Sequence, residues 1–133
     1  ALSLEREIYA RRVAIHGDSH HDTIQAGTSL AISLNSLGLW EHGKRLARDQ
    51  LLPVARKSMG SNHDQTLKLT QNLVSAVLHD PERTRDDLLQ AEAIIQDVVQ
   101  RRRRIFGPTH PDTASAERTL SLVRYDLAEE PEG

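Results

Sequence analysis

An all-α fold built from successive helical hairpins is what this sequence predicts, on three observations. Apolar residues recur at the three-to-four-residue spacing of a helix face, and no segment shows the alternation of a half-buried strand. The stretches 17–23, 60–66 and 107–113 each open on a Gly, with a His three residues on and a Thr six residues on. Their glycines, Gly17, Gly60 and Gly107, lie 43 and 47 residues apart, in the range where a fixed period marks a solenoid of stacked supersecondary units.

Taken in order, residues 2–16 read as a helix with Leu4, Ile8 and Ile15 on one stripe and Tyr9 and Val13 beside it. Gly17 supplies the left-handed residue that ends it, and the polar run Asp18 to Asp22 caps the next helix and sets a carboxylate at its positive end. That helix spans about Thr23 to Leu37, burying Ile24, Leu30, Ala31, Leu34 and Leu37, and Gly38 stops it. Its successor, Trp40 to Met59, follows after so short a connection that the two must pack antiparallel. Pro53 inside it removes a hydrogen bond and crowds the carbonyl of Asp49, so a kink is expected in a helix that survives.

Gly60 restarts the cycle with a helix from Gln65 to Leu78, burying Leu67, Leu73, Val74 and Val77. The polar segment from His79 to Asp87, in which Pro81 forbids simple continuation, holds the residues that lengthen the second period. Leu88 to Phe106 is the next helix. Pro111 suits the first turn of the last one, about Asp112 to Leu127, which buries Ala116, Leu120, Val123 and Leu127. The expected organisation is one helical repeat domain over 1–128 and an acidic tail over 129–133.

Composition narrows the function classes. The chain has 133 residues and a net charge of −2, without the broad basic footprint of a DNA binder. Tyr9, Trp40, Phe106 and Tyr125 are too few for a base-stacking platform. No apolar run approaches the roughly 18 residues of a membrane span, so no membrane insertion is expected. Without cysteine, thiolate metal sites and disulfides are excluded and the compartment is unknown, with the cytoplasm as default.

The repeat resembles the tetratricopeptide repeats of the kinesin light chain type, whose units run about 42 residues. Gly107-Pro108-Thr109-His110-Pro111-Asp112-Thr113 carries the resemblance most closely, and Leu30-Ala31, Leu73-Val74 and Leu120-Ser121 fall seven and eight residues after the three threonines. Gly38-Leu39-Trp40-Glu41 and Ala91-Glu92-Ala93-Ile94 stand at two further family positions. Gly43 replaces the usual Ala, and the frame opens midway through a unit, so that residues 1–16 match only a second helix. The resemblance implies a non-catalytic module that binds a peptide or partner subunit on the face made by the first helix of each hairpin. Its candidate contacts are Gln25, Thr28 and Ser29, then Lys68, Gln71, Asn72 and Ser75, then Ser115, Arg118 and Thr119. Lys68 and Arg118 would favour an acidic ligand.

Other chemistry is weaker. His20, His63 and His110 recur with the repeat, which suits structural turn residues and not a shared ion; no metal or other cofactor is implied. The run Arg101 to Arg104 points around the whole helix circumference, and Asp97 stands four residues before Arg101 for an intrahelical pair. Scattered carboxylates form no nucleophile, base and orienter set, so no catalytic site is read. Two alternatives remain: an architectural subunit that uses its end helices, and a nucleic-acid adaptor working through Arg101 to Arg104.

Overall fold

The computed structural model describes residues 2–129, and these form six helices and no strand. They are α1 (Leu2–His16), α2 (His21–Ser36), α3 (40–58), α4 (Asp64–His79), α5 (Arg85–Phe106) and α6 (Pro111–Glu129). The all-α expectation holds. Helix α6 runs on through Glu129, and the rest of the expected tail, 130–133, lies outside the described residues. The chain divides into two compact units, Ala1–Leu73 and Val74–Gly133, with the boundary inside α4.

In the first unit α1 and α2 run antiparallel, because their bonds pair residues in opposite order: Thr23 Oγ1 donates to the Arg12 carbonyl, and Ser33 Oγ donates to Glu5. Helix α2 ends in a Schellman motif, in which Gly38 N–H bonds the carbonyl of Asn35 and Leu39 N–H that of Leu34. Gly38 carries the positive φ of 77° that this geometry needs. The core joins Ile24, Ala31 and Leu34 of α2 to Leu46, Leu51 and Leu52 of α3 and to Leu69 and Leu73 of α4. Each such aliphatic side chain contributes about 1.5–3 kcal/mol on burial. Gly27 lets the helices close: a Cβ there would overlap Leu51 and come within 2.9 Å of Tyr9 Cε1.

Pro53 acts upstream of its own position. Helix α3 widens into a π segment over Leu46–Leu51, closed by Leu52 N–H on the carbonyl of Ala47, before it resumes as Leu52–Ser58. A wider turn eases the crowding that an α-helical proline imposes on the carbonyl four residues back. The apolar doublets Leu46-Ala47 and Leu51-Leu52, five residues apart, both stay buried as a result.

One expectation about burial fails, that for Leu37, and two residues of the apolar stripe of α1 are also uncovered. Leu4 and Ile15 are 55% and 71% exposed, and α1 reaches the core only through Leu2 and Tyr9, because α2 covers one side of it. Leu37 is exposed because it is the C-cap residue of α2, already turning away from the core.

In the second unit α5 begins earlier than predicted. Thr84 and Asp87 form a capping box, with Asp87 N–H bonded to Thr84 Oγ1 at 3.1 Å and Thr84 N–H to Asp87 Oδ2 at 3.0 Å. Helices α5 and α6 lie antiparallel along a seam of charges, since partners again pair in opposite order. Arg83 meets Asp126 at 3.2 Å, Arg124 meets Glu92 at 3.2 Å and Arg103 meets Glu117 at 2.6 Å. Beneath the seam Leu88, Ala91, Ile95 and Val98 are buried, as are Ala116 and Val123.

Candidate functional site

The three recurring turns are built alike. Gly17, Gly60 and Gly107 adopt φ of 81°, 92° and 88°, a region that side chains with a Cβ rarely enter. The imidazole Nδ1 of His20 accepts from Asp22 N–H, that of His63 from Gln65 N–H and that of His110 from Asp112 N–H, each at 3.1 Å. Each histidine therefore caps the first turn of the next helix, a task more often given to Ser, Thr, Asp or Asn. His16 stacks on His20 with ring centroids 4.4 Å apart, and Phe106 stacks on His110 at 4.3 Å. Thr23, Thr66 and Thr113 are buried below the same turns, and Thr113 Oγ1 donates to the carbonyl of Gly107. Among the described residues no three His, Asp or Glu side chains gather to hold a metal ion.

Within the first unit, α2 and the start of α4 lie side by side and shape a surface between them. An open groove of about 330 Å³ between α2 and α4 is lined by Gln25, Thr28 and Ser29 from one repeat and Lys68 from the next, beside His21 and His63. Four of the ten residues that the resemblance implied thus converge. A larger groove, about 600 Å³, lies between α1 and α2, where Ile8 and Arg12 face Gln25, Ala26 and Ser29. Gln25 and Ser29 line both grooves and form the ridge between them.

The other six behave differently. Asn72 turns inward, where its Oδ1 accepts from Asn35 Nδ2 at 3.1 Å. Gln71 is half-buried on the same helix and lines neither groove. In the second unit Ser75 lies close to His79 on its own helix, and Thr119 Oγ1 donates to the carbonyl of Ser115 at 3.2 Å. Arg118 is exposed on α6. Lys68 forms an ion pair with Asp64 at 3.1 Å, so the α2–α4 groove has no surplus of positive charge with which to select an acidic ligand.

Three of the four arginines in the run have carboxylate partners. Arg101 pairs with Asp97 at 2.7 Å, the intrahelical pair that the spacing predicts, and Arg103 pairs with Glu117. Arg102 is 2% exposed, with Nη1 3.5 Å from Asp112 Oδ2. The sequence spreads the four arginines around the helix circumference, and packing against α6 decides that Arg102 is the one that turns into the interface.

Residues 82–112, from the loop before α5 into the third turn, match the family model of the tetratricopeptide repeat. The chain is thus similar to tetratricopeptide-repeat proteins. The tetratricopeptide-like stretch includes Ala91, Glu92 and Gly107, three of the positions that carried the resemblance, and the likeness suggests a module for binding other proteins. No curated protein matches the chain. No helix among the described residues is long and apolar enough to cross a membrane.

Proposed function

We propose that this chain is a non-catalytic protein-interaction module of the kinesin light chain-like tetratricopeptide type, which holds an extended peptide of a partner across α2 and α4. The observation that carries this reading is the convergence of Gln25, Thr28, Ser29 and Lys68, from two successive repeats, on one open groove. Amide and hydroxyl groups spaced along such a groove suit the backbone of an extended segment, and an open surface presents more contact area than a reacting pocket needs. Because Asp64 balances Lys68, the peptide is recognised by hydrogen bonds and shape more than by net charge.

The test is comparative capture from the source cell. Lys68→Glu and Thr28→Arg should each deplete the same recovered proteins while leaving helicity intact; full recovery with both variants sinks the reading. The nucleic-acid alternative, drawn on Arg101 to Arg104, gains little from the geometry, since Arg101, Arg102 and Arg103 each face a carboxylate and leave exposed Arg104 alone in the argument. The architectural alternative has an observation in its favour, the exposed apolar stripe of α1.

A further inference from the structure

The three turns differ in what lies over the capping imidazole. His20 is stacked on His16 and His110 on Phe106, in each case the residue just before the turn glycine. In the second turn Met59 holds that place, and the ring of His63 instead meets His21 of the preceding repeat edge to face, at 6.1 Å and 70°. His63 and His21 both line the α2–α4 groove. The cap of the second turn is therefore also a wall of the surface where a peptide would lie.

Hydrogen bonding fixes what that wall presents. A neutral imidazole carries one proton, and a ring nitrogen that accepts an N–H cannot hold it. Because Nδ1 of His63 accepts from Gln65 N–H at 3.1 Å, the proton sits on Nε2, to which none of the described residues bonds. The side chain thus offers the groove a donor. Thr28 offers the reverse, since its hydroxyl proton is spent on the carbonyl of Ile24 at 2.8 Å and its oxygen is left to accept. It stands seven residues along α2 from His21, about 10 Å of helix and the length of about three extended residues. A main chain laid along that span supplies both partners, a carbonyl at the turn end and an N–H further on. The ionised groups nearby are paired, Lys68 with Asp64 at 3.1 Å and Arg12 with Asp22 at 3.7 Å. These pairs balance, so a carboxylate gains little here, and the acceptor matched to the His63 N–H is an uncharged carbonyl.

We propose that His63 reads the bound peptide, its Nε2–H donating to an uncharged main-chain carbonyl while its Nδ1 caps α4. This rests on the reading of the α2–α4 groove as a peptide site, and adds to it a contact residue that the resemblance did not imply and the chemical group which that residue selects.

Two substitutions pull the duties of the ring apart. Asn places a polar atom near the position of Nδ1 and none at that of Nε2, and Gln does the opposite. The probe is a random dodecapeptide library displayed on phage and selected on the full chain, with the enriched sequences remade as end-blocked fluorescent peptides. His63→Asn should melt close to the wild type and bind about tenfold more weakly, the worth of one such bond. His63→Gln should melt lower yet, below its melt, bind nearly as well as the wild type. Long-range proton–nitrogen spectra should show the proton of His63 on Nε2, and that signal should move when peptide is added. A proton on Nδ1, wild-type affinity in His63→Asn, parallel losses in the Asn and Gln variants, or enrichment of acidic peptides that salt releases would each overturn the proposal. If Thr28→Arg abolishes binding and His63→Asn leaves it unchanged, His63 is a cap alone and the groove reading stands. If no peptide is enriched, or the enriched ones ignore Thr28→Arg, Lys68→Glu and His63→Asn alike, both fall.

Discussion

Asn35 Nδ2 donates to Asn72 Oδ1 at 3.1 Å and so ties the end of one repeat's first helix to the middle of the next. The bond depends on a third position. A Cβ at Gly43 would overlap Asn35 Oδ1, so the glycine that departs from the family's usual alanine is what admits the asparagine. Asn72, one of the candidate groove contacts, is thereby used to join two helices of the fold.

Gly43→Ala should destabilise the protein by about 1–3 kcal/mol, the range for overpacking a filled core. In an Asn35→Ala background the same change should become neutral or stabilising by up to about 1 kcal/mol, because alanine is the better helix former once the overlap is gone. Urea melts of the four proteins give the cycle. Additive effects would show that the two positions are not coupled.

The turn histidines make a cheaper test. His63→Ala removes the acceptor for Gln65 N–H and should cost about 1 kcal/mol, whereas His63→Asn, which keeps an acceptor at the cap, should recover most of it. Equal losses in both variants would mean that the ring acts through its edge contact with His21, 6.1 Å away between centroids, and not as a cap.

Arg102 tests whether a buried charge is needed or merely tolerated. Arg102→Met keeps the length and apolar stem, and should cost less than about 1.5 kcal/mol. Arg102→Ala empties the site and should cost about 2–5 kcal/mol. If thermal melts show methionine to be as damaging as alanine, the pairing with Asp112, not the packing, holds α5 to α6.

Alkali should act through Tyr9. Burial raises its hydroxyl above the ordinary value of 10.0, and the nearby charge of Asp18 adds to the effect. The unfolded chain then loses this proton first, so the contribution is complete below about pH 10 and declines as pH rises through the folded value. Between pH 9 and pH 11 the wild type should lose more stability than Tyr9→Phe in chemical melts. Parallel losses would place the sensitivity elsewhere.

The signals differed in how far they could be read. The positive-φ glycines, the proline at the start of α6 and the Asp97–Arg101 pair each depend on residues within one turn, and the structure keeps all of them. The early start of α5 was equally local, since Thr84-x-x-Asp87 is a capping pattern, but the polar run around Pro81 hid it. The π turn also left a trace in the five-residue spacing of Leu46-Ala47 and Leu51-Leu52, which a reading tuned to three and four passes over.

By itself the sequence determined six helices, their turns and the repeat that relates them, because helix period, capping and left-handed glycine are short-range effects. Tertiary structure alone decided that Asn72 faces Asn35, that Arg102 is buried while Arg103 is not, and that Leu4 and Ile8 stay exposed where Ala47 and Leu51 are covered. Equivalent positions carry the same local code but meet different neighbours. What covers a side chain depends on the helix packed over it, and a helix's own residues do not specify that.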